Sequence, residues 1–485
     1  MMMKIRNITA LLALIVLLGT ACGTGEQAEM ETTDKETLTA ASEVSSDGAE
    51  SLICPVAESD FGGQAYRILY PEWFLYNDYF FADEETGDQM NDAIYERTRI
   101  TEEHLNVTLE PITFGYIETI QPKVKEAVLG GDDAYDLVLT HCITGVGSMV
   151  TENWLTDWNT LAEAGITFDE RWWNENMNNR LSIHGKRPYA VSAYMLGDPN
   201  AILFNKGMID TFQLEDPYSL VYDGTWTWDK LTEMSKQVSK DVDGNGIYDK
   251  NDMYGFGAHA GWMLNSIPYS CDQYIVEKRD GTYEVALYTE KMISIVEKMD
   301  MLFNGSNSSF MWTEGTNGVS DKTMSMATDR LLFDFVALND SVYYRQCDVE
   351  FGILPFPKYD KAQQEYISFN WCGLMCVPTT AASIEMIART SEMLAFTSLT
   401  TTQPAYKEVL LTGKLARDDE SAEMVDIIFD GMVCDFGMNY LNFNDLTFTI
   451  SRLVARDKST DFTSWYNKNI NQLEQQLAAL NEAYQ

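Results

Sequence analysis

Twelve residues near the middle of the chain, DVDGNGIYDKND at 241–252, have the types and spacing that bind a hard divalent cation. Calcium takes six to eight oxygen ligands, and a loop of this length supplies them from positions 1, 3, 5, 7, 9 and 12, with a glycine at position 6 that turns the chain. Position 12 departs from the usual glutamate because it is an aspartate, whose shorter side chain alters the bidentate ligand. The pattern predicts calcium bound by Asp241, Asp243, Asn245, the Ile247 carbonyl, Asp249 and Asp252, with Gly246 at the turn.

The elements around this loop indicate what the ion does. A helical segment, TWTWDKLTEMSKQV, enters the loop, and a strand-like segment, YGFG, leaves it. A calcium sensor works by opening a pair of helices, and no second helix follows here. The loop also occurs once. We therefore expect a structural calcium ion that holds a turn, and not a calcium switch.

The N-terminus predicts a leader of 21 residues. It has a basic start, MMMKIRN, and an apolar run, ITALLALIVLLG, that is too short to span a bilayer. The run ends at Cys22 and resembles the lipobox of bacterial lipoproteins, except that Gly19 stands where leucine is usual. The resemblance implies a lipid on Cys22 and a place on the extracellular face of a Gram-positive type cell membrane. Residues 22–57 are acidic and poor in apolar residues, which predicts a disordered tether.

Composition excludes some partners. The net charge is −40, so clustered cations for nucleic-acid phosphates are lacking, and we expect no nucleic-acid partner. The chain has 11 Trp, 25 Tyr and 22 Phe, a supply of rings that suits sugar ligands. Seven irregularly spaced cysteines remain beside Cys22, and we interpret them mainly as buried thiols, with any disulfide pairing left open. They are Cys54, Cys142, Cys271, Cys347, Cys372, Cys376 and Cys434.

Strand and helix patterns alternate along the roughly 430 residues after the tether, a length that favours two lobes. In the first third of this region, the patterns predict a strand at AYRILYP followed by a helix. They then predict a strand at NVTLEPITF, a helix at IQPKVKEAVLG and a buried strand at YDLVLTHC. This order predicts an α/β protein.

Segments in a fixed order resemble the extracellular solute-binding proteins of ABC importers, family 1, sugar-binding type. They include NDAIYERTRITEEHLNV, YDLVLTH, WLTDWNTL, LFNKGMID, GTWTWDKLTEMSK and DVEFGILPFPKYDKAQQEY. The resemblance implies a monomeric two-lobe fold of the periplasmic-binding-protein type II, joined by crossover hinge strands, that holds a solute for ABC permease subunits. By this analogy the crossovers fall near Tyr189, Thr328 and Pro378. The first lobe then spans 58–189 and 328–378, and the second spans 190–327 and 379–485.

Rings and polar groups that follow strands are the candidates for contacting a solute, because sugar hydroxyls need hydrogen bonds and sugar faces need rings. The predicted ligand-binding residues are Trp73, Tyr76, His141, Asp198, Asn200, Trp262, Arg330, Asn370 and Trp371. An oligosaccharide is the expected solute.

Two other functions compete with import. A glycoside hydrolase needs two carboxylates beside the scissile bond, and 74 acidic residues make such pairs uninformative. No nucleophile elbow, HExxH or P-loop motif occurs, so we expect no enzymatic activity. A sensor that presents its ligand to a membrane receptor would have the same sequence features as an importer component, so this alternative stays open.

Overall fold

Side-chain caps at the helix starts set the local structure. Asp88 accepts hydrogen bonds from the amides of Met90 and Asn91, which begins a helix of 17 residues that ends where Asn106 adopts a left-handed conformation. Thr227 caps the helix before the acidic loop in the same way. These caps satisfy backbone amides that the first helical turn leaves without partners.

The computed structural model describes residues 53–72, 80–279, 282–312, 326–344, 347–371, 373–411, 418–441 and 450–484. The strands are β1 (Gln64–Tyr70), β2 (Val107–Thr113), β3 (Leu137–His141), β4 (Asn200–Asn205), β5 (Tyr254–His259), β6 (Val276–Arg279), β7 (Thr282–Val285), β8 (Ser309–Trp312), β9 (Leu331–Ala337), β10 (Phe351–Leu354), β11 (Ser368–Phe369), β12 (Gly373–Cys376) and β13 (Met432–Val433).

The α-helices are α1 (Gln89–Leu105), α2 (Ile120–Gly130), α3 (Val146–Thr151), α4 (Trp158–Ala162), α5 (Glu175–Leu181), α6 (Lys206–Phe212), α7 (Pro217–Tyr222), α8 (Trp228–Val238), α9 (Ile267–Ser270), α10 (Glu290–Phe303), α11 (Ile384–Thr400), α12 (Thr402–Leu411), α13 (Asp419–Asp430), α14 (Phe436–Tyr440) and α15 (Phe462–Ala483). Within the described ranges, no helix has the length and apolar character needed to cross a membrane.

The first sheet has the strand order β12-β3-β1-β2. Its strands β1, β2 and β3 are parallel, so their carboxyl ends share one edge. β12 runs antiparallel to β3 and starts at that same edge, where Gly373 pairs with His141. Helix α11 packs on α1 and β1, and α1 also packs on β2.

The second sheet has the strand order β10-β4-β9-β5-β8. Its strands β5, β8 and β9 are parallel and share a carboxyl edge. β4 runs antiparallel to β9 and starts at that edge, where Asn200 pairs with Ala337. Helix α8 packs on β5, α10 on β8 and α13 on β10.

Two antiparallel segments connect the carboxyl edges of the sheets. Ala190 pairs with Met375 and Pro199 pairs with Asn370, so the chain entering β4 runs beside the chain entering β12. Both sheets belong to one compact unit, which begins at Cys54. The carboxyl edges are therefore joined by a pair of hydrogen-bonded crossover segments.

These pairings correct the predicted lobe boundaries. The prediction placed strands β9 and β10 in the first lobe, but both belong to the second sheet. Thr328 lies just before β9, within the second sheet's part of the chain, and not at a crossover. Every residue of β9 is buried, so the strand needs a hydrogen-bonded neighbour on each side, and β4 and β5 provide them. Helix α11, predicted in the second lobe, packs with the first sheet.

The leader, Cys22 and the tether as far as residue 52 lie outside the described residues. Within the described chain, Cys54, Cys271, Cys347 and Cys376 are free thiols, Cys142 and Cys434 are buried, and Cys372 is not described.

One fully buried carboxylate attaches α11 to the segment before α5. Glu392 accepts hydrogen bonds from the indole nitrogens of Trp172 and Trp173, each at 2.8 Å. The amide of Thr167 (3.1 Å) and its hydroxyl complete the set. Four neutral donors thus replace the water that a carboxylate loses on burial, a condition for keeping a charge inside a protein.

We predict that Glu392→Gln destabilises the fold. Its amide group points one N–H at an indole N–H and leaves buried donors unsatisfied, which costs about 2–4 kcal/mol of the free energy of unfolding. Urea unfolding measures this. The matched control is Glu385→Gln on the same helix, where a side chain 65% exposed pairs with Arg389 and contributes little. Equal stability of the two variants would contradict the role of Glu392.

Candidate functional site

The carboxyl edges of the two sheets form the candidate site, because ligands of open α/β sheets bind at this edge. On the first sheet His141 ends β3. On the second sheet His259 ends β5, Trp312 ends β8 and Ala337 ends β9, opposite Asn200.

Four of the predicted ligand-binding residues come together at the crossover segments. The amide of Asp198 donates to Asn370 Oδ1 at 2.8 Å, and the amide of Trp371 donates to the Asp198 carbonyl at 3.3 Å. The indole nitrogen of Trp371 donates to Asn200 Oδ1 at 3.1 Å. All four residues are at most 3% exposed. Their hydrogen bonds join the two crossover segments, and whether they also contact a solute stays a prediction.

Asn200 retains one unused donor. Its Oδ1 accepts the Trp371 indole, whereas its Nδ2 is buried with no hydrogen-bond partner within the described structure. Trp312 Nε1, at the end of β8, is likewise buried with no hydrogen-bond partner within the described structure. Buried polar groups are normally satisfied, so these two donors at the sheet edge have hydrogen-bonding capacity that a ligand can use.

His141 is neutral in this position. Its side chain is 6% exposed, and burial lowers its pKa to about 4. The amide of Ile143 donates to Nδ1 at 3.4 Å, which leaves Nε2 to carry the proton of the neutral ring. The ring is therefore a hydrogen-bonding group without charge at neutral pH.

Buried carboxyl groups lie just beyond the crossover. Asp198 Oδ1 accepts the amide of Asn339 at 3.1 Å. Asp340 is 6% exposed, and burial, followed by repulsion from Asp198 and Asp334, raises its pKa to about 9. Asp334 is fully buried, accepts the Tyr344 hydroxyl at 3.0 Å, and has its pKa raised by burial to about 7. Asp340 is consequently protonated at neutral pH, and Asp334 is partly so.

Other predicted site residues have different outcomes. Trp73 and Tyr76 lie outside the described residues. The backbone of Trp262 begins a short helix, Trp262–Ser266, directly after the carboxyl end of β5, and its side chain is not described. These three assignments stay predictions.

The structure places Arg330 differently from the position that its prediction assumed. This residue precedes β9 instead of following a strand, so it lies at the opposite edge of the second sheet from Ala337, roughly 20 Å away at the rise of an extended chain. Its Nη1 donates to the Lys250 carbonyl at 2.6 Å, which connects it to the acidic loop. The difference came from placing a crossover at Thr328.

The acidic loop lies at this same opposite edge. Asp241 accepts the amides of Gly244 and Gly246, both at 2.7 Å, and the turn requires Gly246 because φ is +79° there. The fully buried Asp252 accepts the amides of Val242 and Asp249, both at 2.8 Å. These bonds fold the loop so that its carboxylates converge.

Three of the six predicted calcium ligands converge. Carboxylate oxygens of Asp241, Asp243 and Asp252 lie within 4.8 Å of one another. Asn245 Oδ1 accepts the Ile247 amide at 2.6 Å, and Asp249 Oδ1 accepts the Asn251 amide at 2.8 Å, so these two side chains are engaged inside the loop. An all-oxygen set of this kind fits calcium and not a softer metal.

Several edge residues were missed by sequence reasoning. They are Phe114, Tyr116, Trp312, Asn339, Asp340 and Asn439. Asn439 on α14 donates from Nδ2 to the Cys142 carbonyl at 2.8 Å, beside the end of β3. Tyr116 was detectable, because the rule of seeking rings after strands applies directly to the segment after β2. Asn439 was not, since nothing in the sequence places α14 next to β3.

Solved solute-binding proteins of ABC transporters share this fold. The galacto-N-biose-/lacto-N-biose I-binding protein of Bifidobacterium longum, solved with lacto-N-biose, has a TM-score of 0.59 at 11% identity, covering 86% of this chain and 98% of its own. UgpB of Mycobacterium tuberculosis, in complex with glycerophosphocholine, has a TM-score of 0.56 at 16% identity, covering 81% of this chain and 96% of its own. The substrate-binding protein Lmo0181 of Listeria monocytogenes, in complex with cycloalternan, has a TM-score of 0.53 at 12% identity, covering 86% of this chain and 98% of its own.

No protein-family model and no curated protein sequence matches the chain. Similarity at these identities concerns the fold, and it confirms the predicted α/β class with two lobes of the periplasmic-binding-protein type. The fold is therefore similar to that of solved substrate-binding proteins of ABC transporters.

Asp334 makes stability depend on pH. Between about pH 4, where an unfolded aspartate titrates, and pH 7, the folded protein holds a proton that the unfolded chain releases. The free energy of unfolding therefore falls as pH rises through this window, by roughly 1 kcal/mol per pH unit from this group. Asp334→Asn cannot release that proton, so its stability relative to the unmodified protein should rise from pH 5 to 7 and then level off.

Urea unfolding at pH 5, 6, 7 and 8 measures this difference. Repulsion from Asp334 contributes to the raised pKa of Asp340, so the comparison rests on the measurements at pH 5 to 7, where Asp340 holds its proton. The control is Asp223→Asn, which removes an exposed carboxylate instead of a buried one. Parallel stability curves for Asp334→Asn and the unmodified protein would disprove the assignment.

Proposed function

We propose that this protein is a lipid-anchored extracellular binding protein that captures an oligosaccharide and delivers it to an ABC importer. The observation that carries the proposal is the pair of carboxyl sheet edges joined by antiparallel crossover segments. Two such edges on a hinge close around a solute and open to release it. The shared fold of solute-binding proteins solved with bound solutes supports this reading.

The chemistry of the candidate site favours a neutral polyhydroxy solute. The described groups at the edges include a neutral His141, a protonated Asp340, and the unsatisfied donors of Asn200 and Trp312. Uncharged donors and acceptors match hydroxyl groups, whereas a phosphate or carboxylate requires cations or many amide donors. A carbohydrate is therefore favoured over an anionic solute such as a phosphodiester.

The anchor rests on the leader sequence and on the composition of the tether. A lipid on Cys22 would hold the protein at the outer surface of the cell membrane, and the segment from there to residue 53, rich in polar and acidic side chains, would let the folded unit reach a permease. We propose permease subunits of an ABC transporter as the macromolecular partner and a monomer as the working form.

Thermal shift against a carbohydrate panel tests the proposed function. At a ligand concentration of 100 times Kd, binding stabilises the folded state by about 3 kcal/mol, which raises Tm by a few degrees. We expect this shift with at least one neutral oligosaccharide and none with glycerophosphocholine. The bound oligosaccharide should be recovered intact by chromatography after prolonged incubation. A panel without any shift would refute carbohydrate capture, and cleavage of the oligosaccharide would favour a hydrolase.

We also propose that calcium occupies the loop at 241–252 and acts as a structural ion. It would neutralise the converging carboxylates of Asp241, Asp243 and Asp252. Arg330 and the pairing of Lys240 with Met253 connect the loop to the starts of β9 and β5. This edge is opposite the candidate solute site, so the ion stabilises the second sheet without contacting the solute.

Removing calcium should lower Tm and expose the loop to trypsin at Lys240, which precedes it, and at Lys250, which lies within it. We expect EGTA to produce both effects in the unmodified protein and neither in Asp243→Ala, which would already lack the ion. The control is the exposed Asp216→Ala outside the loop, which should keep the full response to EGTA. Identical melting and proteolysis with and without EGTA would exclude a structural calcium ion.

A further inference from the structure

The turn after β2 presents two exposed aromatic rings at the carboxyl edge of the first sheet. Phe114 is 45% exposed and Tyr116 is 66% exposed, although most aromatic residues in the described chain are buried. Large apolar side chains left in water lose the stabilisation that burial provides, so an adjacent pair on one turn has a use outside the core.

The backbone holds this turn in one shape. The Phe114 amide donates to the Tyr70 carbonyl at 3.2 Å, and the Glu72 amide donates to the Gly115 carbonyl at 2.6 Å. The Thr119 hydroxyl donates to the carbonyls of Phe114 and Tyr116, both at 2.6 Å. Gly115 has φ +53°, and a Cβ there would lie 2.9 Å from the Thr119 side chain, so the turn requires glycine.

The surroundings of the rings are polar and of mixed charge. Lys123 Nζ lies 4.4 Å from the centre of the Phe114 ring and pairs with Glu126 at 2.8 Å. Exposed Glu118 follows the turn in sequence, and exposed Glu72 lies beside it through the hydrogen bond of its amide to the Gly115 carbonyl. Apolar ring faces beside hydrogen-bonding carboxylates suit a sugar ring, which has C–H faces and a rim of hydroxyls, better than a purely apolar partner.

The position of the turn sets the size of the ligand. β2 is the edge strand of the first sheet, three strands from β12, where the crossover enters. At the usual spacing between strands this separation is about 14 Å. A monosaccharide near the crossover cannot extend over that distance, whereas a chain of several sugar units can.

We propose that Tyr116, assisted by Phe114, forms an aromatic platform that stacks on the outer units of an oligosaccharide whose inner units lie near the crossover. This inference rests on the proposed function, and it specifies the solute as a chain of three or more units. The rigid turn holds the rings in place before binding, so little conformational entropy is lost when a sugar stacks on them.

A length series tests the platform. Calorimetry is carried out with gluco-, galacto-, manno- and xylo-oligosaccharides, each from one to five units long. For the series that the unmodified protein binds, Tyr116→Ala should weaken affinity for the tetra- and pentasaccharide roughly five- to thirty-fold and leave the disaccharide within about twofold. Tyr116→Trp, which keeps a ring, should restore affinity for the longer chains.

The control is Tyr222→Ala, which removes a tyrosine 52% exposed at the end of α7, away from the carboxyl edges. It should leave every affinity unchanged, and melting temperatures identify any variant that is misfolded. An unchanged tetrasaccharide affinity in Tyr116→Ala, or an equal loss for every chain length, overturns the platform while carbohydrate capture stands. If the unmodified protein binds no member of the panel, the proposed function fails and the platform fails with it.

Discussion

The pairing of the two crossover segments is the constraint on which the rest of the site depends. Bridges at Ala190–Met375 and Pro199–Asn370 bring the chain entering the second sheet beside the chain entering the first. Because β4 and β12 both start at the carboxyl edges, this single pairing sets those edges against each other. The Trp371–Asn200 hydrogen bond then adds a side-chain link across the segments. Loss of the register would separate the groups that the site combines.

Burial removes water from a carboxyl group and disfavours its charged form, and this protein accommodates its buried carboxyl groups in two ways. The buried side chain of Glu392 is stabilised by hydrogen bonds from four donors on neutral groups. Asp334 and Asp340 have too few donors, and burial raises their pKa values until they carry protons near neutral pH. The first arrangement stabilises helix packing, whereas the second reduces the negative charge beside the crossover in a chain whose net charge is −40.

The acidic loop and the candidate site are separated by the length of the second sheet. The loop ends where β5 begins, and the site begins where β5 ends. Arg330 was predicted in the site and instead contacts the loop, which shows how strongly a strand's direction decides the role of the residues beside it. A residue before a parallel strand and one after it occupy opposite edges, and only the latter edge faces the crossover.

Sequence alone determined the features that depend on local chemistry: the α/β alternation, the buried character of β3, and the oxygen-rich loop, whose Asp241, Asp243 and Asp252 do converge. Tertiary structure decided what depends on pairing over long distances. It placed β9 in the second sheet and α11 on the first, and it joined Asp198 to Asn370 across 172 positions of sequence. Strand order and direction arise from contacts between distant segments, which no local pattern of apolar and polar residues encodes.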